Sequence, residues 1–287
     1  VVLLHGWAQS SAVWAEVLAS AGEPASAVSS AASAEGRASA VSSAASVGEH
    51  ASVGLADRFR LVAADLRGHG ESDAPADGYA DPAAWAGDVA ALLAHAGRDA
   101  VLVGWSYGGL VIADYLRRHG TAGVAGLVLV GAITEIGRGR PGGRVGPAMR
   151  AALPAALDED PTVAVPALLD LITAMDADAL PGEVGQWMLG TALRVPPRVR
   201  AALFRRDVTS ADVLAAVDVP ALVLHGRRDA VVDPSAGEYA AATIPGAALR
   251  WFDDVGHLPF LERPAEFTAE LAGFLERCQA ARREVVR

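Results

Sequence analysis

Gly104-Trp105-Ser106-Tyr107-Gly108-Gly109 lies between an apolar run, residues 100–103, and a segment of helical pattern, residues 110–118. A serine in a Gly-x-Ser-x-Gly turn between strand and helix marks a nucleophile elbow. The turn is so tight that Ser106 is expected in a strained backbone conformation. A side chain two residues before or after it would strike the neighbouring strand or helix, and glycine removes the collision. The strain lifts the hydroxyl clear of the sheet at the head of a helix, where it can attack a carbonyl. A serine hydroxyl is a poor nucleophile until a base takes its proton, so the chemistry calls for a histidine oriented by a carboxylate.

With such an elbow the partners follow in the chain order serine, acid, histidine. Of the seven histidines, His225 and His257 come late enough to be considered. His225 stands in Leu224-His225-Gly226-Arg227-Arg228-Asp229, at the end of an expected strand. His257 opens the loop after the last expected strand, in Gly256-His257-Leu258-Pro259-Phe260-Leu261-Glu262-Arg263-Pro264. The order selects Asp229 as the acid and His257 as the base, each just beyond a strand's carboxyl end, where open α/β sheets place their sites. Among competing acids, Asp233 reads as a helix cap before Pro234, and Asp253 and Asp254 are too close in sequence to His257. Glu135, after the preceding strand, is the reserve. The oxyanion formed on attack needs backbone N–H donors. These are expected from Tyr107, at the start of the following helix, and from Trp7 in Leu4-His5-Gly6-Trp7, where Gly6 permits close approach. His5 is expected to hold that loop. Asp65 to Ser72 reads as a tight, internally bonded turn, and His69, which precedes Ser106, as structural.

The elements that must position these residues follow an alternation of short apolar runs and helical patterns. Strands are expected at residues 1–4, 59–64, 100–104, 126–130, 221–224 and 248–252. Helices are expected at 11–19, 82–96, 107–118, 235–242 and 264–280. The alternation predicts a mostly parallel sheet with helices on both faces. Two segments interrupt it. Residues 22–54 carry an imperfect tandem repeat of thirteen residues, small and polar, read as a surface loop with almost nothing to bury. Residues 134–206 open with a Gly/Arg loop and continue with helical patterns at 147–157, 162–175, 182–193 and 197–205. That segment is expected to form a helical cap inserted into a core of residues 1–133 and 207–287. Trp187, Met188, Leu258 and Phe260 are the candidates for lining a substrate pocket.

Composition narrows the chemistry. The chain of 287 residues has no lysine, so no mechanism can rest on a catalytic lysine. Cys278 is the single cysteine, which rules out an internal disulfide, and with no His-rich cluster beside it no metal site is expected. A net charge of −10 argues against nucleic acid and anionic membrane surfaces as partners. No apolar run reaches the roughly 18 residues of a transmembrane helix. Val1-Val2-Leu3-Leu4 already reads as a buried strand with no initiator Met or signal peptide before it, so an N-terminal truncation is expected, with cytoplasm as the default location.

Taken together, His5-Gly6-Trp7, Asp65 to Ser72, Gly104 to Gly109, His225-Gly226 with Asp229, and Gly256-His257 through Pro264 resemble the α/β-hydrolase fold family. The resemblance is closest to its small esterases, cofactor-free haloperoxidases and carbon–carbon bond hydrolases. It implies a serine hydrolase without a cofactor, acting on a small-molecule ester or acyl substrate. It also implies two further N-terminal strands beside residues 59–64, preceding the strand at residues 1–4. Ser106 departs from the Asp nucleophile of haloalkane dehalogenases and typical epoxide hydrolases and from the Cys of dienelactone hydrolases. Ala8 stands where perhydrolases of the family typically carry Pro. A carboxylic-ester hydrolase is the leading expectation. A perhydrolase, a carbon–carbon bond hydrolase and a non-turnover ligand receptor built on the same triad remain beside it.

Overall fold

The protein is described by a computed structural model covering residues 1–19, 54–97 and 99–285; apart from Gly54, the repeat lies outside them. Six strands form one parallel sheet in the order β2-β1-β3-β4-β5-β6. They are β1 (Val2–Leu4), β2 (Val62–Ala64), β3 (Ala100–Trp105), β4 (Val124–Val130), β5 (Ala221–Gly226) and β6 (Ala248–Phe252). Every residue of β1 to β5 is buried, as continuous Val/Leu/Ala runs require when helices cover both faces. The outer strand β6 is buried only at Phe252, with its other residues exposed or half-buried.

Helices α1 (Ala15–Leu18) and α2 (Leu55–Arg58) precede β2, α3 (Pro82–Ala96) leads to β3, and α4 (Tyr107–His119) leads to β4. Between β4 and β5 lie α5 (Pro147–Ala156), α6 (Pro161–Thr173), α7 (Gly182–Arg194), α8 (Pro197–Leu203) and α9 (Ala211–Ala215). Then come α10 (Pro234–Thr243), the single turn α11 (Pro259–Glu262) and α12 (Pro264–Val285). Proline stands at the first position of seven helices (α3, α5, α6, α8, α10, α11 and α12), where its missing N–H costs nothing. No helix among the described residues is long and apolar enough to cross a membrane.

Local differences from expectation have local causes. The strand expected over 59–64 is confined to Val62–Ala64, because Phe59 closes the turn of α2 by donating its N–H to Leu55 O. The helix expected over 11–19 is a 3₁₀ turn, Ser11–Trp14, followed by the one-turn α1. Both α9 and α11 are too short to leave a periodic pattern.

Strand order reverses between β1 and β3: β2 lies to one side of β1, and β3 to β6 lie to the other. Loops leaving these two neighbours diverge and open a crevice at their carboxyl ends. The register pairs Leu4 with Gly104 and Val130 with both Trp105 and Leu224. It thereby brings the loops after β1, β3, β4 and β5 to one level.

Candidate active site

Ser106 sits at that switch point, between β3 and α4, with φ 54° and ψ −118°. This is a left-handed conformation that a serine adopts only where the surroundings enforce it. They do: Ser106 N–H donates to Val130 O at 3.0 Å, and Ser106 O accepts from the amides of Gly109 (3.1 Å) and Ile133 (3.2 Å). A Cβ on Gly104 would stand 2.7 Å from Gly108 O, and one on Gly108 would stand 2.6 Å from Leu4 O, so only glycine closes the turn.

Asp229 and His257 meet beside this elbow. His257 Nδ1 lies 2.7 Å from Asp229 Oδ2, both side chains being buried. The other carboxylate oxygen accepts from the Val231 (2.8 Å) and Val232 (2.9 Å) amides. Burial by itself would raise the Asp229 carboxyl, but His257 and His225 beside it hold it well below the usual carboxylate range. The acidic oxygen fixes the proton of His257 on Nδ1. Its Nε2 is buried and accepts no hydrogen bond among the described residues; the Ser106 hydroxyl does not bond to it in this structure. The imidazole is held through its backbone, with His257 N–H donating to Met175 O (2.6 Å) and its carbonyl accepting from Trp105 Nε1 (2.9 Å). The Trp105 ring lies 5.2 Å from the imidazole.

The loop after β1 approaches the elbow so closely that a Cβ on Gly6 would stand 2.9 Å from Ser106 Cβ. Gly6 O is engaged by His5 Nδ1 (2.8 Å) and Gln9 N–H (3.3 Å). In a planar trans peptide the N–H points opposite to the carbonyl, so this engagement aims Trp7 N–H away from those partners. His5 Nε2 accepts from Leu66 N–H (2.9 Å), and His69 Nε2 from Ala8 N–H (3.3 Å), which ties the loop to the Asp65 to Ser72 turn. Ala8 is itself left-handed, with φ 56°. Burial lowers both imidazoles, His69 to about 3, and keeps them neutral acceptors. Tyr107, the first residue of α4, has one of the N–H groups that a helix start leaves open. Its hydroxyl donates to Leu203 O (3.2 Å) and accepts from Arg206 Nη1 (3.0 Å).

The other candidate acids are engaged elsewhere. Glu135 accepts from the Gly142 and Ser210 amides and from the Thr209 hydroxyl. Asp233 caps α10 through Ser235 N–H, and Asp253 pairs with Arg227. Of the pocket candidates, Trp187 is the exposed one at 38%, while Met188, Leu258 and Phe260 are fully buried. Phe260 packs against Trp14, Trp105 and Phe267 and belongs to the core beneath the site.

Two further residues touch the pair, Gly131 outside every motif quoted above and His225 within one. Gly131, with φ 47°, passes so close that a Cβ there would lie 3.1 Å from His257 Nδ1 and 3.2 Å from Asp229 Oδ2. The signal for it is a glycine directly after the apolar run of β4. His225 Nε2 lies 3.2 Å from Asp229 Oδ2. Its signal is a histidine at a strand end, four residues before an acid.

Known proteins share this architecture. A solved esterase, RhEst1 from Rhodococcus sp. ECU1013, superposes with a TM-score of 0.80 at 46% identity, over 96% of this chain and 89% of that one. The AB hydrolase superfamily protein YisY of Bacillus subtilis is 31% identical over 75% of this chain and 81% of its own length. A non-heme haloperoxidase of Rhodococcus erythropolis is also 31% identical, over 76% of this chain and 82% of its own. Both esterases and haloperoxidases thus stand among the relatives, and the function is of the hydrolase, esterase type. The profile of the alpha/beta hydrolase family matches residues 1–271, and the chain belongs to that family.

Proposed function

We propose that the protein is a serine hydrolase that cleaves small-molecule carboxylic esters through an acyl-enzyme. The observation that carries this reading is the strained Ser106 at the head of α4 beside a buried His257 whose Nδ1 is 2.7 Å from Asp229. In the reaction, the Ser106 hydroxyl attacks the ester carbonyl while His257 Nε2 takes its proton. The imidazolium, stabilised by ionised Asp229, then protonates the leaving alcohol as the C–O bond breaks. Water attacks the acyl-enzyme with His257 again as base, releasing the acid and free Ser106. The amides of Trp7 and Tyr107 hold the oxyanion, assisted by the dipole of α4.

Residues 134–206 act as a cap over this site. In support, their backbone accepts from the Trp7 indole at Arg200 O (3.1 Å), from the Tyr107 hydroxyl at Leu203 O and from His257 N–H at Met175 O. The cap is thus tied to the oxyanion loop, the elbow and the base at once.

A fluorophosphonate probe should label Ser106 in the folded protein, and Ser106→Ala should abolish both labelling and hydrolysis of nitrophenyl esters. An unlabelled, folded protein sinks the proposal. The haloperoxidase relative favours a second reading, peracid formation on the same acyl-enzyme. Running the ester panel with and without hydrogen peroxide as acyl acceptor separates the two.

A further inference from the structure

Asp229 carries a second imidazole that the reaction above does not use. His225, at the end of β5, is fully buried, and its Nε2 faces two acceptors, Asp229 Oδ2 at 3.2 Å and Val232 O at 3.3 Å. A lone pair there would be repelled by both oxygens, so Nε2 carries the proton and is shared between them. The other ring nitrogen, Nδ1, is buried without a hydrogen-bond partner among the described residues. Helix α10 presses its backbone against it: a Cβ on Gly237 would lie 2.5 Å from Nδ1. A proton on Nδ1 would find no acceptor among the described residues, so the geometry favours the tautomer protonated on Nε2.

We propose that His225 is a positioning residue for the triad: a neutral N–H donor that shares Asp229 Oδ2 with His257 and tempers the carboxylate's pull on the base. The proposal rests on the reading of Asp229 and His257 given above. A carboxylate oxygen that accepts from two donors gives less to each, so its hold on His257 Nδ1 is weaker than that of an unshared carboxylate. The sharing holds the carboxylate in the plane that orients the base. Other charged groups nearby are turned away. Arg227 pairs with Asp253, Arg228 with Asp178, and Glu262 with the Gly256, Leu258 and Ala177 amides, while Glu135 is engaged by Gly142, Thr209 and Ser210. Tyr239, on α10, donates to Glu135.

The test is a nitrogen-15 NMR titration of the histidine rings in the full chain, with the pH profile of ester hydrolysis beside it. In the wild type, the neutral His225 ring should carry its proton on Nε2. In His225→Leu the His257 ring signals, and the acid limb of kcat/KM, should move up by roughly 0.5–1 pH unit. His225→Gln, which returns an N–H donor at the same reach, should restore both to within about 0.2 unit. A folded His225→Leu protein with an unmoved His257 titration overturns the proposal. So does a wild-type His225 protonated on Nδ1, a result that needs no variant to fold. The NMR arm needs no turnover: an unreactive Ser106 alongside a shifted titration removes the esterase reading and leaves this one standing.

Discussion

Gly131→Ala is the perturbation for which the structure gives both a cost and a place. Two effects superimpose. Gly131 has φ 47°, and an L-residue in the left-handed region costs about 1–2 kcal/mol. For a domain of this size that lowers Tm by roughly 2–8 °C. The new Cβ also stands 3.1 Å from His257 Nδ1, 0.3 Å inside the 3.4 Å at which ordinary contacts begin. The imidazole must give way by that amount. If an error of 1 Å in a reacting group costs about 10²-fold, a shift of about 0.3 Å costs roughly fourfold in kcat on a logarithmic scale. Gly246→Ala separates the two effects. Gly246 is left-handed too (φ 69°), exposed, and a Cβ there meets nothing within 4 Å. Both variants should lose similar stability in thermal unfolding, and only Gly131→Ala should lose turnover of a nitrophenyl ester. Equal stability losses with wild-type kcat in both would refute the crowding argument.

Other outcomes follow from the same geometry. Asp229→Asn should reduce kcat by about 10⁴ while leaving the fold intact, checked by steady-state kinetics and circular dichroism. His69 has its affinity for a proton depressed to about 3, so the unfolded chain binds a proton there between about pH 6.5 and 3 that the folded protein does not. Stability should therefore be full above about pH 6.5 and fall on acidification through that window. Urea unfolding of His69→Gln should show a slope shallower by up to about 1.4 kcal/mol per pH unit. The Arg206–Asp114 pair is fully buried, with Arg206 Nη2 2.6 Å from Asp114 Oδ2. Arg206→Met should cost about 3–5 kcal/mol by stranding the carboxylate, and adding Asp114→Leu should recover much of it in denaturant unfolding.

The residues of the candidate site could be picked out in the sequence because each obeys a local rule. Ser106 announces itself by flanking glycines that no other residue could replace in so tight a turn. Asp229 and His257 lie one loop beyond β5 and β6, and chain order sorts them from the remaining acids and histidines. Contacts made only by packing were not legible. Nothing in Val130-Gly131-Ala132 says that a histidine from the far end of the chain will press on that glycine. That only a glycine fits at Gly237 beside His225 depends on a helix that the pattern places but does not orient. The packing of Phe260 was likewise not legible: nothing in its motif shows the three aromatic neighbours that hold it in the core. Short elements such as α9 and α11 were missed because one turn cannot display a period of 3.6.

The strand order has a consequence for how the protein is made. β1 precedes β2 and β3 in sequence, yet it lies between them in the sheet. During synthesis Val2, Leu3 and Leu4 wait for Leu102, Val103 and Gly104 before their second edge is covered. The wait for His257 is longer. Ser106 is translated 151 residues ahead of His257, which at ribosomal rates is about 8–30 s. Throughout that interval the nascent chain holds the strained elbow without His257. That residue joins it only when the last strand and its loop have left the ribosome, so a polypeptide stalled before β6 would carry the elbow alone.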